Sequence, residues 1–98
     1  LYVADPSSGG VLAVSETGRV EQTITPRVGR ILSVAVGGRI LGVVGDDGLA
    51  LFRIEERGRL SVEPIREISA PASTDVAILA GSVYALRAGR PDYLGRVE

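Results

Sequence analysis

Short apolar runs separated by glycine-containing turns follow one another along the whole chain. Leu1-Tyr2-Val3-Ala4 and Val11-Leu12-Ala13-Val14 flank a polar Asp5-Pro6-Ser7-Ser8-Gly9-Gly10 stretch, the pattern of a β-hairpin. Val20 to Ile24 alternates apolar and polar residues before Pro26 stops it. Ile31 to Val36 then leads through Gly37-Gly38 into Arg39 to Val44. Two glycines between such runs predict a tight hairpin, because glycine reaches positive φ without steric cost. Gly45-Asp46-Asp47-Gly48 predicts the next turn, and Leu49 to Ile54 the next strand. Leu60 to Ile68 alternates in part, and Ala70-Pro71-Ala72-Ser73 reads as a connector. Val76 to Ala80, Ser82 to Leu86 and Tyr93 to Val97 complete the set. No segment has a helical pattern: Phe52 to Arg59 comes nearest, but it is short, charged and interrupted by Gly58. The reading is all-β, with about ten short strands in antiparallel meanders.

The pattern repeats. Glu16-Thr17-Gly18-Arg19-Val20 returns as Glu56-Arg57-Gly58-Arg59-Leu60, spaced by 40 residues, and at that offset Leu1 and Val3 fall on Leu41 and Val43. Val11, Leu12 and Val14 likewise fall on Leu51, Phe52 and Ile54. A second echo, 43 residues apart, links Val34 to Leu41 with Ala77 to Tyr84. One all-β unit over residues 1–98 is expected, divided into partial repeats at 1–26, 31–68 and 75–98. A period near 40 residues with four strands in each repeat is that of a β-propeller blade.

The phrase Leu1 to Val20, LYVADPSSGGVLAVSETGRV, resembles the repeat of NHL, YVTN and gluconolactonase-like propellers: an apolar strand ending in Asp, a Gly/Ser turn, a second apolar strand and a closing Gly-Arg. The resemblance implies stacked antiparallel four-stranded repeats, here about two and a half blades against the four to eight of a closed propeller. The chain is then part of a longer one, or several copies close a ring, or the strands form a small β-barrel or β-sandwich instead. In the propeller reading the opening hairpin is the middle of a blade, whose innermost strand comes from upstream sequence or from another chain.

Composition narrows the chemistry. The chain has 11 basic and 12 acidic residues, every basic one an Arg, and no Cys, His, Lys, Met, Trp or Asn. A balanced charge gives no excess for gripping a nucleic-acid backbone, and four aromatic residues offer little stacking platform for bases. No apolar run approaches the roughly 20 residues that span a bilayer as a helix. The scarcity of Asn, Gln, Cys and Met fits a heat-adapted source. The start at Leu1 suggests removal of a leader or excision from a longer chain.

Without His, Cys or Lys, the usual nucleophilic and Schiff-base sites are excluded, leaving carboxylates and metal binding through oxygen. Asp46-Asp47 lies in a turn, but the spaced ligands of a calcium loop are missing and local backbone capping explains it. Asp5 would, by the resemblance, sit at a strand end where lactonase-type propellers hold a divalent metal, yet Asp5-Pro6-Ser7-Ser8 reads as a turn starter. Gly9-Gly10 and Gly37-Gly38 open no helix, so they are turn glycines and not phosphate loops. No catalytic, cofactor-binding or metal residue is therefore expected. Arg27, Arg30, Arg39, Arg57, Arg59, Arg87 and Arg90 fall in or beside turns and form the candidate interaction surface, facing a protein partner or other copies. The expected function is a non-catalytic interaction or scaffold module. The alternatives are a fragment of a lactonase-type metal-dependent propeller enzyme and a structural subunit of an extracellular assembly, its edge strands completed by neighbours.

Overall fold

A computed structural model of the chain describes residues 1–5, 9–69, 73–87 and 89–96, with the side chain of Arg57 excepted. Pro6 to Ser8, the 70–72 part of the connector and the end of the last strand at Val97 lie outside the described residues. Among the described residues, ten strands form three antiparallel meanders. The first sheet holds β1 (Tyr2–Asp5), β2 (Gly10–Val14) and β3 (Val20–Ile24) in chain order. The middle sheet holds β4 (Ile31–Gly37), β5 (Ile40–Gly45), β6 (Leu49–Arg53) and β7 (Arg66–Ile68). The third holds β8 (Ser73–Leu79), β9 (Ser82–Arg87) and β10 (Arg90–Arg96). The fold is all-β and antiparallel. It is not closed into a barrel, which removes that alternative: each sheet has two open edges among the described residues.

The sheets stack face to face, and the middle one is covered on both sides. All of β5 is buried. Its Leu41 and Val43, with Ala50 and Phe52 of β6, pack against Val11 and Ile24 of the first sheet. On the opposite face Ile40, Val44, Leu49 and Leu51 pack against Val76, Val83 and Ala85 of the third. A strand buried on both faces cannot alternate apolar and polar residues, which is why Ile40-Leu41-Gly42-Val43-Val44 is continuously apolar. Each such side chain contributes about 1.5–3 kcal/mol on burial.

Side chains and close contacts tie the layers together. The Gln22 amide on β3 acts as a substitute peptide group: its Nε2 donates to the Leu60 carbonyl (2.8 Å) and its Oε1 accepts from the Leu60 N–H (2.7 Å). The Tyr2 hydroxyl donates to the Gly58 carbonyl. Between the middle and third sheets, Ser33 Oγ donates to Asp75 Oδ1 (2.7 Å), which also accepts from the Val76 N–H (2.8 Å). Here β4 and β8 approach so closely that a Cβ on Gly37 would lie 2.5 Å from the Ile78 carbonyl oxygen.

The strand equivalences follow from the registers. In the β4–β5 ladder a bulge lies between the pairs Ile31–Gly45 and Ser33–Val44. In β8–β9 the same bulge lies between Ser73–Arg87 and Asp75–Leu86, 42 residues further on. The next hairpin agrees, Val44–Leu49 matching Leu86–Pro91. The second echo thus has a spacing of 42, one residue less than apolar matching suggests, because the turn at Gly38-Arg39 corresponds to Ala80-Gly81.

Between the first and middle sheets, the Ser15 N–H donates to the Arg19 carbonyl and the Glu55 N–H to that of Arg59. Gly18 and Gly58 close these paired turns with φ of 82° and 76°, and Val14–Val20 matches Ile54–Leu60, so β2 corresponds to β6 at a spacing of 40. The Leu1 carbonyl accepts from Val14 as that of Arg39 accepts from Ile54, so β1 corresponds to β5 at a spacing of 38.

The Leu60 to Ile68 run is the one that departs most from a strand. Leu60 makes a single bridge, and a bent segment follows in which Ser61 Oγ accepts from the Arg53 N–H and donates to the Glu63 carbonyl. Pro64, which has no N–H to give a ladder, lies within the bend, and pairing resumes where the Ile65 N–H donates to the Leu51 carbonyl (2.7 Å) and Arg66 stands opposite Leu51. The rejected helix at Phe52 to Arg59 proves to be the end of β6 followed by one 3-10 turn at Glu56–Gly58.

Candidate interaction surface

The candidate arginines are divided between the two ends of the stack. Arg27 and Arg30 lie in the β3–β4 connection, Arg87 ends β9 and Arg90 begins β10, all at the end where the even-numbered strands β2 to β10 begin. Arg39, in the β4–β5 turn, and Arg59, after the 3-10 turn, lie at the opposite end. Arg57 shares that turn, but its side chain is outside the described residues. The placed side chains are exposed, and acidic groups neighbour two of them: Arg30 pairs with Asp46 at 3.8 Å and Arg87 with Asp92 at 3.6 Å. Half-exposed pairs of this kind contribute about 0–1 kcal/mol, and both lie at the end where the even-numbered strands begin.

Backbone bonding explains the Asp46-Asp47 turn. The Asp46 N–H donates to the Arg30 carbonyl (3.1 Å) and the Asp47 N–H to that of Val28 (2.8 Å), seating the turn on the β3–β4 connection. Among the described residues no three His, Cys, Asp or Glu side chains gather as metal ligands, and no helix is long and apolar enough to cross a membrane. A hollow of about 330 Å³ opens between β3 and the β6–β7 segment. Ile24, Ala50 and Phe52 line it, with Arg27, Glu63 and Glu67 among its polar wall groups.

Val62, in the wall of this hollow, is 83% exposed, and a broader apolar face lies elsewhere. On the outward face of the third sheet Leu79 is 71% exposed and Tyr93 57%. The Tyr93 ring leans on that of its cross-strand neighbour Tyr84, centroids 5.5 Å apart. Ala77, Leu86 and Pro91 continue this face into a shallow apolar hollow. On the first sheet Val3 and Val20 are the exposed large apolar residues. Charge in turns does not point to these positions. Their signal was strict alternation in strands such as Ser82 to Leu86, which places Tyr84 and Leu86 on the face opposite Val83 and Ala85. Gln22 was also missed, although its position two residues before Ile24 puts a polar group on a core-facing row.

Compared with protein-family models, with curated proteins and with solved structures, the chain matches none.

Proposed function

We propose that this chain is a non-catalytic interaction or scaffold module built from stacked, propeller-like β-repeats, whose exposed sheet faces receive other copies or a protein partner. One observation carries the reading. At the 42-residue spacing, Ala77, Leu79, Tyr84 and Leu86 on the outward face of the third sheet correspond to Ala35, Gly37, Gly42 and Val44. Those are positions on the face of the middle sheet that the third sheet covers. A surface built like a covered one, apolar and left open, is suited to association.

Sedimentation velocity over a range of concentrations tests this, with multiples of the 10.2 kDa chain expected to appear as concentration rises. Replacement of Leu79 and Tyr93 by Glu should return the protein to a single chain. A single chain at every concentration would overturn self-association. If such a monomer also failed to bind an apolar dye, the whole reading would fall, because the outward faces would then not be adhesive.

A further inference from the structure

The outer strand of the middle sheet is broken where that of the first sheet is not. β3 pairs with β2 along its length, through one bulge. Its counterpart after β6 leaves the ladder at Leu60: Ser61 Oγ takes the Arg53 N–H, and pairing resumes at Ile65 and Arg66. Val62, Glu63 and Pro64 lie between those points and form one wall of the hollow of about 330 Å³, whose other wall is β3 and the residues that follow it. The Gln22 amide, itself in the lining, grips Leu60 and so fixes the two walls to each other. The hollow is built entirely from residues 22–67, in the interior of the chain.

Its lining has three parts. Ile24, Ala50 and Phe52, all buried, form an apolar floor, and Val62 stands exposed in the wall. Arg27 contributes a guanidinium from the β3 side. Glu63 and Glu67 contribute carboxylates from the β6–β7 side. Among the described residues none of these three side chains makes an ion pair, unlike Arg30 and Arg87. The charges disfavour two kinds of ligand. A plain cation is repelled by Arg27 and a plain anion by the two glutamates, whereas a molecule carrying both charges is attracted at each wall. The volume is at the lower end of the roughly 300–1,000 Å³ of small-ligand sites, which suits a small molecule and not a further strand.

We propose that this hollow binds a small zwitterion with an apolar body, of the class of amino acids and dipeptides. The ligand's carboxylate accepts hydrogen bonds from the Arg27 guanidinium, and its ammonium donates to Glu63 and Glu67. Its side chains lie on the floor of Ile24, Ala50 and Phe52 and cover Val62. The site goes beyond the interaction-module reading and does not rest on it. Sedimentation tests association through the outer sheet faces, and ligand binding tests the hollow between the sheets.

The probe is leucyl-leucine, titrated into the 98-residue protein by isothermal titration calorimetry, with amide NMR to locate it. Saturable binding with a Kd of about 0.1–3 mM is expected, with the largest shifts at Thr23, Val62 and Glu63. N-acetyl-leucyl-leucine lacks the ammonium and leucyl-leucinamide lacks the carboxylate, and each should bind at least about fivefold more weakly. Arg27→Gln should weaken leucyl-leucine to a similar extent and leave leucyl-leucinamide unchanged. Glu63→Gln combined with Glu67→Gln should do the same, with N-acetyl-leucyl-leucine as the unaffected ligand. All three positions are exposed, and should a variant fail to fold, the two analogues decide the matter. Absence of saturable binding at about 20 mM, shifts centred outside the hollow, or analogues that bind as tightly as leucyl-leucine overturn the site.

Discussion

Replacing Gly37 by Ala tests the packing of β4 on β8. The added Cβ would lie 2.5 Å from the Ile78 carbonyl oxygen, 2.6 Å from its Cβ and 2.7 Å from its Cγ2. Two of these atoms are backbone or fixed directly to it, so relief requires the strands to part and disturbs the adjoining Ile40–Val76–Val83 cluster. Overpacking of this kind costs about 1–3 kcal/mol, and a clash with a carbonyl belongs at the upper end. Loss of glycine's freedom in the unfolded chain returns about 0.4–1 kcal/mol, leaving a net loss of about 2 kcal/mol. Gly42 provides the internal comparison. There an added Cβ would meet only side-chain tips, Val76 Cγ2 at 3.2 Å and Ile78 Cδ1 at 3.3 Å, which can shift by a few tenths of an ångström. Gly42→Ala should therefore change stability by less than about 1 kcal/mol in either direction. Urea unfolding followed by far-ultraviolet circular dichroism measures both variants against the parent. A Gly37→Ala protein as stable as Gly42→Ala would refute the reasoning, since it would mean that β4 and β8 do not approach each other as described.

Three further outcomes are expected. Ala80 has a positive φ of 50° at the position where the equivalent hairpin has Gly38, so Ala80→Gly should raise stability by up to about 1 kcal/mol; a lower urea midpoint would count against this. Gln22→Ala leaves both Leu60 backbone groups without the amide and should cost about 1–3 kcal/mol, read as a lower melting temperature; an unchanged melt would show that the clamp carries no stability. Desolvation by burial raises the Tyr2 phenol above its ordinary pKa of 10.0, so the folded chain holds that proton more tightly than the unfolded one. The resulting stability is present below pH 10 and is lost as pH rises through the raised value. Comparing urea midpoints at about pH 8 and about pH 11, the parent should lose more than Tyr2→Phe, and equal losses would contradict the assignment.

Strand content was legible because period-2 alternation and glycine turns are local signals. Val20–Ile24 stands where the alternation puts it. The ends of other strands were less so. The third sheet starts at Ser73 and its last strand at Arg90, both ahead of the apolar residues that mark them, because edge-strand pairing needs backbone groups and tolerates Ser, Arg and even Pro91. In the other direction, Leu60 to Ile65 has a strand pattern, but the Ser61 side chain takes the Arg53 N–H and Pro64 has no N–H, so the run keeps isolated bonds to β6, from the Ser61 and Ile65 N–H groups, in place of a ladder. The apolar faces were implicit in the same alternation, yet nothing local reveals which of two apolar rows another sheet will cover. Gln22 and Asp75 owe their roles to partners 38 and 42 residues away, a separation that a turn-by-turn reading does not cross.

The order of the layers gives the molecule a direction. Val3 and Val20 mark one outer surface and Leu79 and Tyr93 the other, and the two are different surfaces. Copies joined in the manner of the internal stack would meet head to tail, never through one patch paired with itself. A two-fold dimer is then not the natural product. Such units either rotate steadily and close as a ring with one symmetry axis, or fail to close and grow as a fibre. Which of these follows depends on the angle between successive sheets, so a small repacking at Gly37 would alter not only stability but the symmetry of any assembly the chain can build.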